Sequence, residues 1–204
     1  MTTPHLSFSE QLLVDTQNDN LYAVQKLIAD NPHMVNTTIH SLYYSTLNNK
    51  PEFVAELLKV TDATAFENTF LNLAVEMGYM ECVALLFERS NFDFYPVAVK
   101  CAVNHDRDEI LQWMLERAPF STRTIAEGMA QVSVNNPHED VFKVLYAHGG
   151  RDAFNQFLDI KRAQLHQTQS EYYVQLEHWA NEVDALNITK SLDGVEFVHQ
   201  RKKM

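Results

Sequence analysis

The chain has 204 residues, 46% of them hydrophobic, with 5 Gly and 6 Pro. That composition excludes a disordered polymer and argues against a turn-dense all-β fold. Sixteen Lys and Arg against 27 Asp and Glu give a net charge of −11, a balance that repels phosphate backbones and anionic lipid and so weighs against nucleic-acid and membrane-surface binding.

Two cysteines, Cys82 and Cys101, make no disulfide framework, and free thiols suit a reducing cytoplasm. The opening stretch MTTPHLSFSEQLLVDTQ has no basic segment followed by an apolar run, so no secretory leader is expected. No uncharged apolar run approaches the roughly 18 residues a membrane helix needs.

An apolar unit recurs along the chain: AVQKLI at 23–28, FVAELL at 53–58, CVALLF at 82–87, EILQWM at 109–114 and DVFKVL at 140–145. Val24, Val54, Val83, Ile110 and Val141 are taken as equivalent anchors, spaced 30, 29, 27 and 31 residues apart. Each is followed at i+3 and i+4 by an apolar pair, which gives one buried stripe per helix. Five residues before the anchors stand Asp19, Asn49, Gly78, His105 and Asn136, each in a polar turn. Nine before come Asp15, Ser45, Ala74, Cys101 and Val132, mostly small; twelve before come Leu12, Leu42, Leu71, Ala98 and Met129, all apolar. Each unit therefore reads as helix, tight turn, helix. One such pair cannot bury its own apolar face, whereas five stacked pairs can.

After Gly149-Gly150, a helix stop, the pattern changes. Residues 152–186 read as one long helix or two broken near 166–170. In them Tyr172, Leu176, Trp179, Val183 and Leu186 form a coiled-coil-like seam. This segment is expected to cap the last repeat, dividing the chain into a repeat array at 1–150 and a helical extension at 151–204. The final stretch NITKSLDGVEFVHQRKKM shows little helical pattern.

The third unit, TFLNLAVEMGYMECVALLFERSNFD at 69–93, resembles the ankyrin repeat. Thr69, Leu71, Leu73, Ala74, Gly78, Val83, Leu85 and Leu86 fall on that family's pattern, while Phe70 and Asn72 replace its Pro and His. A period near 29 is closest to ankyrin with a trimmed loop. The resemblance, spanning about 9–150, implies an all-α ankyrin-like solenoid of about five helix pairs with a helical C-terminal cap. It also implies a non-catalytic protein–protein interaction module. Its exposed concave face would be lined by Tyr43, Leu47, Asn72, Glu76, Met77, Val103, Asn104 and Val134. Small, divergent ankyrin-like proteins of intracellular bacteria and large viruses suggest, by analogy, an effector in a host cytosol.

No zinc, nucleophile-elbow, phosphate-loop or kinase motif is present, so no cofactor, metal or enzymatic activity is expected. The mixed His and carboxylate runs at 104–109 and 136–140 sit where helices begin, and acidic residues are favoured there. Trp113, Trp179, Phe87 and Phe92 are read as core. Residues 1–150 hold 9 basic and 19 acidic side chains, a balance suited to a protein partner with a basic surface. The expected state is a monomer or weak dimer. Two other readings are an enzyme with a cryptic groove site and an oligomer built through the C-terminal helix.

Overall fold

The computed structural model describes residues 6–34, 38–66, 68–132, 138–164 and 170–201. Among these the protein is all-α, with eleven α-helices, two short 3-10 turns (Ala63–Phe66 and Phe92–Phe94) and no strand. By backbone contact it divides into two compact units, residues 1–110 and 111–204.

The first unit contains α1 (Phe8–Gln17), α2 (Leu21–Asp30), α3 (Ile39–Leu47), α4 (Pro51–Leu57), α5 (Thr69–Met77), α6 (Met80–Phe87), α7 (Tyr95–Asn104) and the start of α8 (Asp108–Arg117). Successive helices pair as α1 with α2, α3 with α4 and α5 with α6. The first helices also lie side by side, α1 on α3 on α5 on α7, and the second helices do the same, α2 on α4 on α6. The result is a two-layer ladder, the arrangement that lets short amphipathic helices share a continuous core.

Local chemistry sets the helix boundaries. Ser7 and Glu10 form a reciprocal capping box on α1, and Pro51 occupies the first turn of α4, where its missing N–H costs nothing. Each of these three pairs is joined through one left-handed residue, Asp19, Asn49 and Gly78, and the turn from α7 to α8 has Asp106 in the same place, with φ of 58°, 51°, 79° and 55°. The next N–H returns to the preceding helix, from Asn20 to Asp15, Lys50 to Ser45, Tyr79 to Ala74 and Arg107 to Ala102. These bonds satisfy carbonyls that a helix end would otherwise leave bare.

That geometry corrects the register of the fourth repeat. Its left-handed residue is Asp106, whereas His105, chosen from the sequence, has φ −108°. Counting from Asp106, the anchor equivalent to Val24, Val54 and Val83 is Leu111, and the spacings become 30, 29, 28 and 30. The matching first-helix positions are Val99 and Ala102, in place of Ala98 and Cys101. Leu12, Leu42, Leu71 and Val99 are all fully buried, as are the four anchors. The one-residue error arose because Ile110 is itself apolar and buried, so both frames give an i, i+3, i+4 stripe.

Neighbouring repeats are also tied by polar bonds. Lys50 Nζ donates to the Thr16 carbonyl at 2.9 Å and pairs with Asp19 at 2.6 Å. Arg107 Nε and Nη2 donate to the Glu76 carbonyl at 3.1 and 2.8 Å. Both cations stand at the same repeat position, and each caps the C-terminus of the preceding first helix, where the helix dipole favours positive charge.

The second unit contains the rest of α8, α9 (Thr122–Met129), α10 (Glu139–Gln164) and α11 (Ser170–Arg201). At Gly150, φ 60° and ψ −162° break α10 into two helical arms, so the double glycine does stop a helix. Gly149 serves a different need. A Cβ there would lie 2.5 Å from Ala153 Cβ and 2.7 Å from Ile125 Cγ2, so its bare Cα lets α9 approach α10.

Four of the five seam residues, Tyr172, Leu176, Trp179 and Val183, are buried; Leu186 is exposed. They join Phe142, Tyr146, Phe154 and Phe157 in an aromatic core with edge and tilted contacts such as Phe142–Phe154 at 6.0 Å and Phe142–Trp179 at 5.9 Å. The break expected near 166–170 falls, but for Ser170 at the start of α11, outside the described residues. The stretch after Asn187 continues as helix to Arg201 despite its weak pattern. A helix already nucleated by packing extends at little further cost. No described helix is long and apolar enough to cross a membrane.

Candidate interaction face

Along each first helix the side chains turned away from the second-helix layer recur at fixed distances before the anchor. Fourteen before stand Glu10, His40, Thr69 and Val97, all exposed. Eleven before stand Leu13, Tyr43, Asn72 and Lys100, and seven before stand Gln17, Leu47, Glu76 and Asn104. Because α1, α3, α5 and α7 lie side by side at about 10 Å, these rows form one continuous face.

Most of the sequence-derived candidates meet on it. Tyr43 is 46% exposed, Leu47 37% and Met77 38%, and Glu76 and Asn104 are also exposed. Asn72 is half-buried, and its Oδ1 has no hydrogen-bond partner. Its carbonyl accepts from Cys101 Sγ at 3.4 Å. Val134 lies outside the described residues.

Val103 does not belong to this face, for it is 1% exposed. In the corrected register it stands eight before the anchor, with Thr16, Thr46 and Val75, all fully buried. The two threonines meet the cost of burial by donating to carbonyls one turn back, Thr16 to Leu12 at 2.7 Å and Thr46 to Leu42 at 2.9 Å. The two valines fill the same shape without a hydroxyl. Phe92, read as core, is half-exposed on its 3-10 turn, edge-on to Tyr95 at 5.2 Å. Sequence reasoning did not single out Val14 and Val97, 37% and 48% exposed, which extend the apolar face across α1 and α7. Val97 stands fourteen before the corrected anchor, in line with Glu10, His40 and Thr69, whereas Val14 stands ten before Val24, an offset the sequence reading did not use.

The rim of the face has an uneven charge. Among the described residues of α1, α3, α5, α7 and their turns, Glu10, Asp15, Asp19, Glu76 and Asp106 are the carboxylates, and all but Asp15 are exposed. The cations Lys50, Lys100 and Arg107 are only half-exposed. Lys50 shows the contrast best: its side chain is 16% exposed beside an Asp19 that is 72% exposed. Its ammonium also lies 4.8 Å from the Tyr44 ring centre and 5.4 Å from that of Phe53.

Reactive chemistry is poorly supplied here. Burial pushes the Cys82 thiol up to about 11, helped by the charges of Glu81 and Glu52. Burial does the same to Cys101, also to about 11, with Glu76 adding to it. Both thiols stay protonated near neutrality and are weak nucleophiles. His105 caps the end of α7, and Asp108 and Glu109 occupy the first turn of α8. Among the described residues, no group of three or more His, Cys, Asp or Glu is gathered in a way that could hold a metal ion.

No protein-family model matches the chain, and neither a curated protein nor a solved structure shows a significant match to it.

Proposed function

We propose that the chain is a non-catalytic, ankyrin-like repeat module that binds a partner protein through the open face of its first helices. One observation carries this reading. Val14, Tyr43, Leu47, Met77 and Val97 are five large exposed apolar side chains, and all fall on that one face. Contiguous apolar surface with aromatic and Met residues inside a polar rim is how interfaces are built.

The repeat assignment is supported by the 28–30-residue period, the helix–left-handed turn–helix unit and the side-by-side stacking of like helices. The third unit's match to the ankyrin pattern supports it further. Two thiols that remain free suit a cytoplasmic setting. An effector acting on a host protein is the biological role this reading favours.

The test is affinity capture from native lysate, run in parallel with wild-type protein and with Leu47→Glu, Met77→Glu and Lys59→Glu. A partner retained by wild type and Lys59→Glu but lost by both face variants supports the reading, provided all four proteins melt alike. A partner that all four retain defeats it.

A further inference from the structure

The face described above also has a defined electrical character, which points to the chemistry of what it binds. Among the described residues of the first helices and their turns, every exposed charged side chain is a carboxylate: Glu10, Asp19, Glu76 and Asp106. Two of the three nearby cations are drawn inward to serve the fold, and the third, Lys100, is half-exposed in the same row as Tyr43 and Asn72. Lys50 caps the Thr16 carbonyl, and Arg107 caps the Glu76 carbonyl. The helix-capping chemistry that joins the repeats thus leaves acid outermost. Inside this rim lie Tyr43, Leu47 and Met77, all exposed. Unit 1 as a whole has 15 carboxylates against 6 Lys and Arg, so its long-range field has the same sign.

We infer that the occupant of this face is a cationic amphipathic segment of a partner protein. Its apolar side chains seat over Tyr43, Leu47 and Met77, and its Lys or Arg side chains reach Asp19, Glu76 and Asp106. The inference rests on the proposed function, since it names the partner's chemistry for the same face. A second copy of this chain is disfavoured, because like-charged rims would be brought together.

The test uses three synthetic 18-residue peptides on the full chain: an amphipathic Leu/Lys helix, its Leu/Glu counterpart and a Lys/Ser peptide with no apolar face. Titration calorimetry at low and moderate salt should show binding of the Leu/Lys peptide alone, weakening about tenfold as salt is raised. Glu76→Lys should weaken it at least tenfold, and so should the double variant Tyr43→Ala, Leu47→Ala. Glu52→Lys and Glu81→Lys, on the second helices, should change it less than twofold. Circular dichroism checks that each variant is folded; only the side chain of Glu76 is altered, so the carbonyl that Arg107 uses remains.

Equal binding of the Leu/Glu peptide, or a loss that follows Glu81 and spares Glu76, overturns the cationic assignment while leaving the apolar face intact. Binding indifferent to Tyr43 and Leu47 overturns the face itself. Self-association in sedimentation that Leu47→Glu abolishes would assign the face to a second copy and also overturn the proposal.

Discussion

Asn68 grips the backbone of Asn91 from both sides: its Nδ2 donates to the Asn91 carbonyl at 2.8 Å, and its Oδ1 accepts the Asn91 N–H at 3.0 Å. The amide imitates a strand partner and ties the entry to the third repeat to the entry to the fourth. Asn68 is fully buried and left-handed, with φ 58°. Among residues with a Cβ, Asn is one of the few that tolerate that conformation, which Gly, having none, adopts freely.

The pair is asymmetric, and that yields a prediction. Asn68→Ala removes both bonds and forces Ala into left-handed geometry, for a loss of about 2–4 kcal/mol. Asn68→Gly loses the bonds without the strain and should be about 1 kcal/mol less damaging. Asn91→Ala keeps both bonds, which use its backbone, and forfeits only its side-chain cap on the Asp93 N–H, about 1 kcal/mol. Chemical denaturation of the three variants checks the order. Equal losses for Asn68→Ala and Asn91→Ala would show that the amide pair contributes nothing.

The corrected repeat register is tested at two adjacent residues. Val103→Asp buries an unpaired carboxylate at a position that is 1% exposed and should cost several kcal/mol. Asn104→Ala, next along the chain and exposed, should stay within about 0.5 kcal/mol. A thermal melt in which the two behave alike would restore the earlier frame.

Much of the fold was legible because burial leaves a periodic mark. Leu12, Leu42 and Leu71 recur twelve before Val24, Val54 and Val83, and all six are fully buried. The left-handed turns were legible at Asp19, Asn49 and Gly78, whose residue types tolerate positive φ. At the fourth repeat two adjacent apolar residues, Ile110 and Leu111, made periodicity ambiguous by one step. That single step moved Val103 from the core to the face. The inter-repeat caps from Lys50 and Arg107 were invisible, since a surface cation and a capping cation look alike in sequence. So was the acidic rim, which exists only because those cations turn inward.

Gly149 and Gly150 should fail for different reasons when a methyl is added. Gly149→Ala drives a Cβ into Ala153 and Ile125 at 2.5 and 2.7 Å, so a large loss is expected and Ala153→Gly should recover part of it. Gly150→Ala meets no atom within 4 Å, yet its φ of 60° with ψ −162° is essentially glycine-only, at a cost of about 1–3 kcal/mol. Ala153→Gly should give it no rescue. Recovery of both variants, or of neither, would contradict the steric assignment at Gly149.

The acid limb of stability in the second unit should depend on Asp184. Its carboxylate accepts from Tyr146 Oη and from Arg151 Nη2, both at 2.8 Å, and Arg151 also reaches Glu177 at 2.6 Å. Burial works against ionisation of Asp184, but the bonds from Arg151 and Tyr146 outweigh it and hold the carboxyl below its ordinary value of 3.8. Tyr146 itself is pushed up to about 12, by burial first and then by Asp184, so its hydroxyl stays a donor throughout the acid range. Hydrogen bonding to Lys143 lowers Glu182 in the same sense. A carboxyl lowered by folding stabilises the native state above its unfolded value, and that contribution is lost as pH falls through the folded value. The second unit should therefore weaken from about pH 4 downward. Trp179 fluorescence can follow it once Trp113→Phe leaves a single indole. In urea titrations between pH 7 and 3, Asp184→Asn should flatten this decline in part, with Glu182 supplying the remainder, and added salt should shrink the difference because the groups are partly exposed. Matching pH slopes for wild type and Asp184→Asn would mean that this network does not govern acid stability.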